Sequence, residues 1–143
     1  MAGYMTKLQG YVYEGELVNG AAAAVENGLL MVQGTGANVG KLVLGGAADT
    51  TTKLVCKEVG TIYDGRVAYR FIVDALAKRY YFVENGFDIN DSAAYDKAEY
   101  TTAVGDFLRA HPLLVGEEFW TDKVTGTIAA GTAYGVKADG TIG

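Results

Sequence analysis

The chain has 143 residues, half of them hydrophobic and a fifth charged, a composition that suits one globular domain with a sizeable core and excludes wholesale disorder. Its 17 acidic against 12 basic residues, signs interspersed and summing to −5, argue against gripping phosphate backbones, so no nucleic-acid partner is expected. No apolar run approaches the roughly 20 residues needed to cross a bilayer, so no membrane partner is expected either. Cys56 is the only cysteine, which rules out an internal disulfide and a zinc site of the multi-cysteine kind.

Twenty glycines, ten tyrosines and a single proline favour turns and strands over long helices. The opening sixteen residues lack the basic and apolar regions of a signal peptide, which predicts synthesis and folding in the cytoplasm. Residues 1–9 precede the first punctuation at Gly10 and read as an N-terminal arm. Residues 10–143 read as a single domain. Residues 8–13 are strand-forming, and Gly15-Glu16-Leu17-Val18-Asn19-Gly20 reads as a short strand closed by a type I′ hairpin turn. The run of alanines at 21–24 with Val25, trapped between Asn19-Gly20 and Asn27-Gly28, reads as a strand. Short strands follow at 29–33 and 41–44, separated by the loop 34–38, and 45–52 reads as another loop.

Residues 53–59 alternate as a strand, with Lys53, Lys57, Val55 and Val59 sharing one face. The stretch 66–78 carries two patterns. Ala68, Phe71, Ile72, Ala75 and Leu76 form a helical stripe, and Arg70, Asp74 and Lys78 lie four apart as helix ion pairs would. Val67, Tyr69, Phe71 and Val73 alternate instead as a strand does. The helical stripe is favoured, giving a short helix within 66–78 and then a strand over 79–84. Val83-Glu84-Asn85-Gly86 echoes Val25-Glu26-Asn27-Gly28 without matching flanks, which suits two similar turns better than a duplication. Residues 88–100 read as a polar loop or a single helical turn, and the last third supplies four more strands. There, Val104-Gly105, Val115-Gly116 and Ala130-Gly131 are each followed by an aromatic, at Phe107, Phe119 and Tyr134, a pattern of sharp corners and half-buried strands. The predicted fold is mainly β, a compact barrel or sandwich of short strands with tight glycine turns.

Candidate chemistry is sparse. Asp88, Asn90, Ser92, Asp96 and Glu99 fall at positions 1, 3, 5, 9 and 12 of an EF-hand-like loop, the oxygen donors a hard cation requires. Ala93 stands where that loop needs glycine, so a solvated surface loop is the stronger reading and no metal or other cofactor is expected. His111, the only histidine, has no second histidine or cysteine to complete a metal site. Ser92 lacks a nucleophile-elbow context. Glu117 and Glu118, adjacent on a strand, point to opposite faces and cannot flank one bond, so they read as surface charge. The glycine-rich residues 34–40 lack the lysine and hydroxyl ending of a phosphate loop. Phe119 and Trp120, also adjacent, put one ring inward and the other outward or into a partner. No enzymatic activity is expected.

Gly15-Glu16-Leu17-Val18-Asn19-Gly20, the Tyr81-Phe82-Val83-Glu84-Asn85 stretch, the run VGDFLRAHPLLVGEEFWTD over 104–122 and the closing GVKADGTIG together resemble the head decoration, or capsid cement, proteins of tailed bacteriophages. The likeness covers about half the chain and is strongest at its C-terminal end. Such a resemblance implies a non-enzymatic structural protein of the virion, bound to the outer surface of the capsid and bridging subunits of the major capsid protein. It also implies a homo-oligomer, with a trimer favoured. In that setting residues 2–13 would order on the capsid by adding a strand to a neighbouring sheet, which makes Tyr4, Leu8, Tyr11 and Tyr13, with Phe119 and Trp120, the interface candidates. The competing reading is a β-sandwich that binds carbohydrate or a host surface, assisted by Ca²⁺ in the 88–99 loop.

Overall fold

The computed structural model describes residues 4–7, 18–61, 67–84 and 101–143. Within them the chain is mainly β and one sheet curls like half a barrel, as the composition predicts. Sheet 1 has five antiparallel strands: β1 (Tyr4–Lys7), β11 (Glu118–Thr121), β7 (Val67–Ala75), β6 (Asp49–Thr61) and β12 (Ala133–Val136), in that spatial order. Sheet 2 runs β10 (Ala110–Pro112), β8 (Tyr81–Val83), β4 (Leu30–Gln33), β5 (Lys41–Val43) and β2 (Val18–Asn19). A two-stranded ladder of β3 (Val25–Glu26) and β9 (Thr101–Thr102) lies apart from both.

The core follows from how these strands face. Leu54 and Cys56 of β6, Phe71 and Val73 of β7 and Phe119 of β11 meet Leu30 and Phe82 of sheet 2 in one apolar cluster. Phe119 sits at its centre, its ring 4.9 Å from that of Phe82 and 5.9 Å from that of Phe71. The opposite face of sheet 2, with Met31, Tyr81, Val83 and Leu42, is covered in turn by Ala21, Val25 and Leu108. Sheet 2 is therefore buried on both faces, and Tyr81, Phe82 and Val83 are each fully buried. That explains an uninterrupted apolar run where a surface strand would alternate.

The predicted helix within 66–78 is corrected: Val67–Ala75 is strand β7, paired along both edges, with β6 on one side and β11 on the other. The helical stripe arises because β7 carries apolar residues on both faces, Arg70 and Asp74 notwithstanding. Phe71 and Val73 point into the core, while Ala68, paired with Gly60, is fully buried and Ile72 half-buried. Nor do Arg70, Asp74 and Lys78 pair along a helix. Arg70 instead bonds Glu58 at 3.2 Å and also Glu118, one on each neighbouring strand.

Asn19-Gly20 is not a hairpin turn. β2 runs parallel to β5, and Asn19 is buried, its amide donating to the Thr102 carbonyl at 2.8 Å while its Oδ1 accepts from the Ala21 N–H at 2.9 Å. An asparagine that turns the chain through its side chain matches the same dipeptide as a backbone hairpin. Residues 21–24 bend rather than extend, leaving only Val25–Glu26 as strand. Strand β6 begins at Asp49, inside the predicted loop 45–52. The three glycine corners hold: Gly105, Gly116 and Gly131 have φ of 87°, 93° and 89°, the left-handed region glycine enters without strain.

Because Phe119 joins both sheets, truncating it removes contacts on two sides of the core. Phe119→Ala is expected to cost about 3–5 kcal/mol in urea unfolding. A loss under about 1 kcal/mol would mean that the two sheets pack independently of this ring.

Candidate interface surface and buried polar ties

The outer face of sheet 1 is built by the register of its three middle strands. Trp120 pairs with Arg70, which pairs in turn with Glu58, and Glu118 pairs with Ile72. Directly opposed residues share a face, so Trp120, Arg70, Glu58, Glu118 and Ile72 form one surface opposite the side that holds Phe119. The predicted split of the Phe119–Trp120 pair is thus observed, with Phe119 fully buried and Trp120 half-buried. A Cβ on Gly60 would stand 3.2 Å from the indole ring. The missing side chain leaves room for the ring of Trp120 to reach across β7 to β6. Arg70 bridges two carboxylates beside it, and these are partly exposed pairs that position charge more than they stabilise.

Along this face β1 forms the sheet edge, pairing Tyr4 with Trp120 and Met5 with Phe119 before a bulge ahead of Lys7. Four residues of the predicted arm thus lie on the chain's own β11. Of the other interface candidates, Leu8, Tyr11 and Tyr13 fall outside the described residues. So do the possible cation ligands Asp88, Asn90, Ser92, Asp96 and Glu99. Among the described residues no group of three or more His, Cys, Asp and Glu side chains is placed to hold a metal ion.

Glu117 corrects the expectation of surface charge. It is fully buried, and its carboxylate meets His111 Nε2 at 2.8 Å and accepts from the Leu114 N–H. His111 lies on β10 opposite Phe82, on the face turned toward sheet 1, whereas Glu117 leads into β11 of sheet 1. The pair therefore spans the corner where the chain passes from one sheet to the other. A buried pair of this kind is costly to break from one side.

A second tie joins the sheets through Asp49 at the start of β6. Its carboxylate accepts from the Thr51 and Thr52 N–H groups at 2.9 and 3.0 Å, the Thr52 hydroxyl at 2.6 Å and the Tyr80 hydroxyl at 2.7 Å. Thr52 Oγ1 in turn accepts from the Ala77 N–H at 3.0 Å. Burial alone would raise the Asp49 pKa, but the four donors outweigh it and hold the carboxyl well below its ordinary 3.8. Burial, together with the hydrogen bond to Asp49, pushes the Tyr80 phenol upward. Cys56 is likewise raised by burial and remains a core thiol. A third tie is the Thr121 hydroxyl donating to the Gly28 carbonyl at 3.1 Å.

Neither pairing was legible from spacing. His111 and Glu117 are six residues apart across a corner, and Asp49 and Tyr80 are 31 apart. Only Pro112 and Gly116, flanking the turn, hinted that His111 and Glu117 could face one another. Compared with known protein families, characterised proteins and solved structures, the chain matches none.

Two measurements follow. Glu117→Leu alone should cost about 3–5 kcal/mol by leaving His111 buried against an apolar group. His111→Leu with Glu117→Leu should cost clearly less than the two single losses added, whereas additivity would deny the coupling. Asp49, with a folded-state pKa below its unfolded one, stabilises fully above the unfolded value near 3.8 and loses that contribution as the pH falls further. Asp49→Asn should then lower stability at pH 7 by about 1–3 kcal/mol and flatten the decline between neutral and acid pH. An unchanged acid slope in urea midpoints would show that other carboxylates govern it.

Proposed function

We propose that this chain is a non-enzymatic structural protein that binds the outer surface of a phage capsid and stabilises the mature shell by bridging major capsid subunits. The observation that carries the reading is the outer face of sheet 1. A half-buried Trp120, its ring reaching across β7 to Gly60 of β6, stands beside the edge strand β1 on a five-stranded sheet. A rigid aromatic on a preorganised sheet is a good anchor for a protein partner, because little conformational freedom is lost on binding. The motif likeness in the last third of the chain supports the same reading, since that run contains β10, the Glu117 corner and β11.

On this reading the chemistry-bearing side chains act as scaffold. His111, Glu117 and Asp49 tie the sheets together, and the partner meets the Trp120 face and β1. The chain assembles as a homo-oligomer on the shell, with a trimer favoured, and reaches the virion after synthesis in the host cytoplasm. No cofactor takes part.

The test is co-sedimentation with undecorated phage heads. Trp120→Ala should fold with a loss of about 1–2 kcal/mol, because the ring is only half-buried, yet bind heads at least about tenfold more weakly. Deleting residues 2–13 should also lower occupancy. Full occupancy by both variants would remove this face from the contact, and failure of the unaltered chain to sediment with any head would end the capsid reading.

A further inference from the structure

Asn19 ties the end of β2 to three other segments of the chain. Its backbone N–H donates to the Asp106 carbonyl, and its own carbonyl accepts from the Gly105 N–H, both at 2.8 Å. Its side-chain amide donates to the Thr102 carbonyl at 2.8 Å and to the Ala23 carbonyl at 3.3 Å, and its Oδ1 accepts from the Ala21 N–H at 2.9 Å. The next residue, Gly20, donates its N–H to the Leu42 carbonyl of β5 at 2.9 Å. A Cβ on Gly20 would stand 2.8 Å from that of Lys41, so this close approach requires glycine.

An asparagine followed by glycine is also a chemically reactive pair. The glycine nitrogen, on losing its proton to water or hydroxide, attacks the asparagine Cγ. Ammonia leaves and a succinimide ring remains, which water opens to aspartate or isoaspartate. Glycine favours the closure because no side chain obstructs the attacking nitrogen. In the folded chain both reacting groups are engaged elsewhere. The attacking N–H is bonded to Leu42, and the amide that must swing toward it is held by three hydrogen bonds at a buried position.

Either product would fit this position badly. A carboxylate has no N–H for the Thr102 and Ala23 carbonyls and would face both of them as a buried charge. Isoaspartate also lengthens the main chain by one carbon, which displaces the backbone bonds to Gly105, Asp106 and Leu42.

We propose that Asn19 is a conformation-gated deamidation site, closed in the folded chain and, once opened, converted to a residue that opposes refolding. Such a site turns a reversible opening into an irreversible loss. The inference goes beyond the capsid reading and does not depend on it.

Peptide mapping by mass spectrometry tests it, with the chain held in mildly alkaline buffer, folded or in urea. Each event is assigned by residue, because Asn27-Gly28 and Asn85-Gly86 are the same dipeptide, the latter outside the described residues. Deamidation at Asn19 is expected to run at least about a hundredfold slower in the folded chain, as its small open population dictates. Urea below the unfolding midpoint should raise that rate in step with the open fraction. Asn19→Asp, which stands for one product, should lower the folding equilibrium constant at least about tenfold. Comparable rates at Asn19 in the folded chain and in urea, a folded-state rate indifferent to urea, or undiminished stability of Asn19→Asp would overturn the proposal.

Discussion

Two stacked sheets can slide over an apolar core, and in this protein buried polar ties hold them in place. Phe71, Phe82 and Phe119 supply cohesion without direction. Direction comes from His111 against Glu117, Asp49 against Tyr80 and Thr121 against the Gly28 carbonyl, each joining an element of sheet 1 to one leading into or lying in sheet 2. Misplacing the sheets would leave buried acceptors and donors unmet, at about 1–3 kcal/mol each. The apolar contacts hold the sheets together; the polar ties select one arrangement.

His111 and Glu117 are both buried, with His111 Nε2 and the Glu117 carboxylate engaged at a chain corner. The Asp49 carboxylate receives four hydrogen bonds from its own chain. On the exterior, the outer face of sheet 1 carries the half-buried Trp120 beside Arg70, Glu58 and Glu118.

The sequence revealed this fold unevenly. Glycine corners at Gly105, Gly116 and Gly131 were readable because a positive φ requires that residue. The opposed facing of Phe119 and Trp120 was readable because strand geometry alone decides it. Strand β7 misled because Ala68 and Ile72 put apolar residues on its outer face as well, blurring the two-residue period into a helical one. Asn19 misled because its side-chain turn uses the dipeptide of a hairpin. The Glu117 and Asp49 networks were invisible for a different reason. A carboxylate followed by strand residues looks like surface charge until its distant partner is brought beside it.

The central functional claim is that the chain lies on a capsid through the Trp120 face of sheet 1. Cryo-electron microscopy of undecorated phage heads incubated with the purified chain tests it most directly. The account predicts ordered density at stoichiometric occupancy on the outer shell, with Trp120 and β1 turned toward the major capsid protein. Heads without added density, or density with that face turned to solvent, would contradict it.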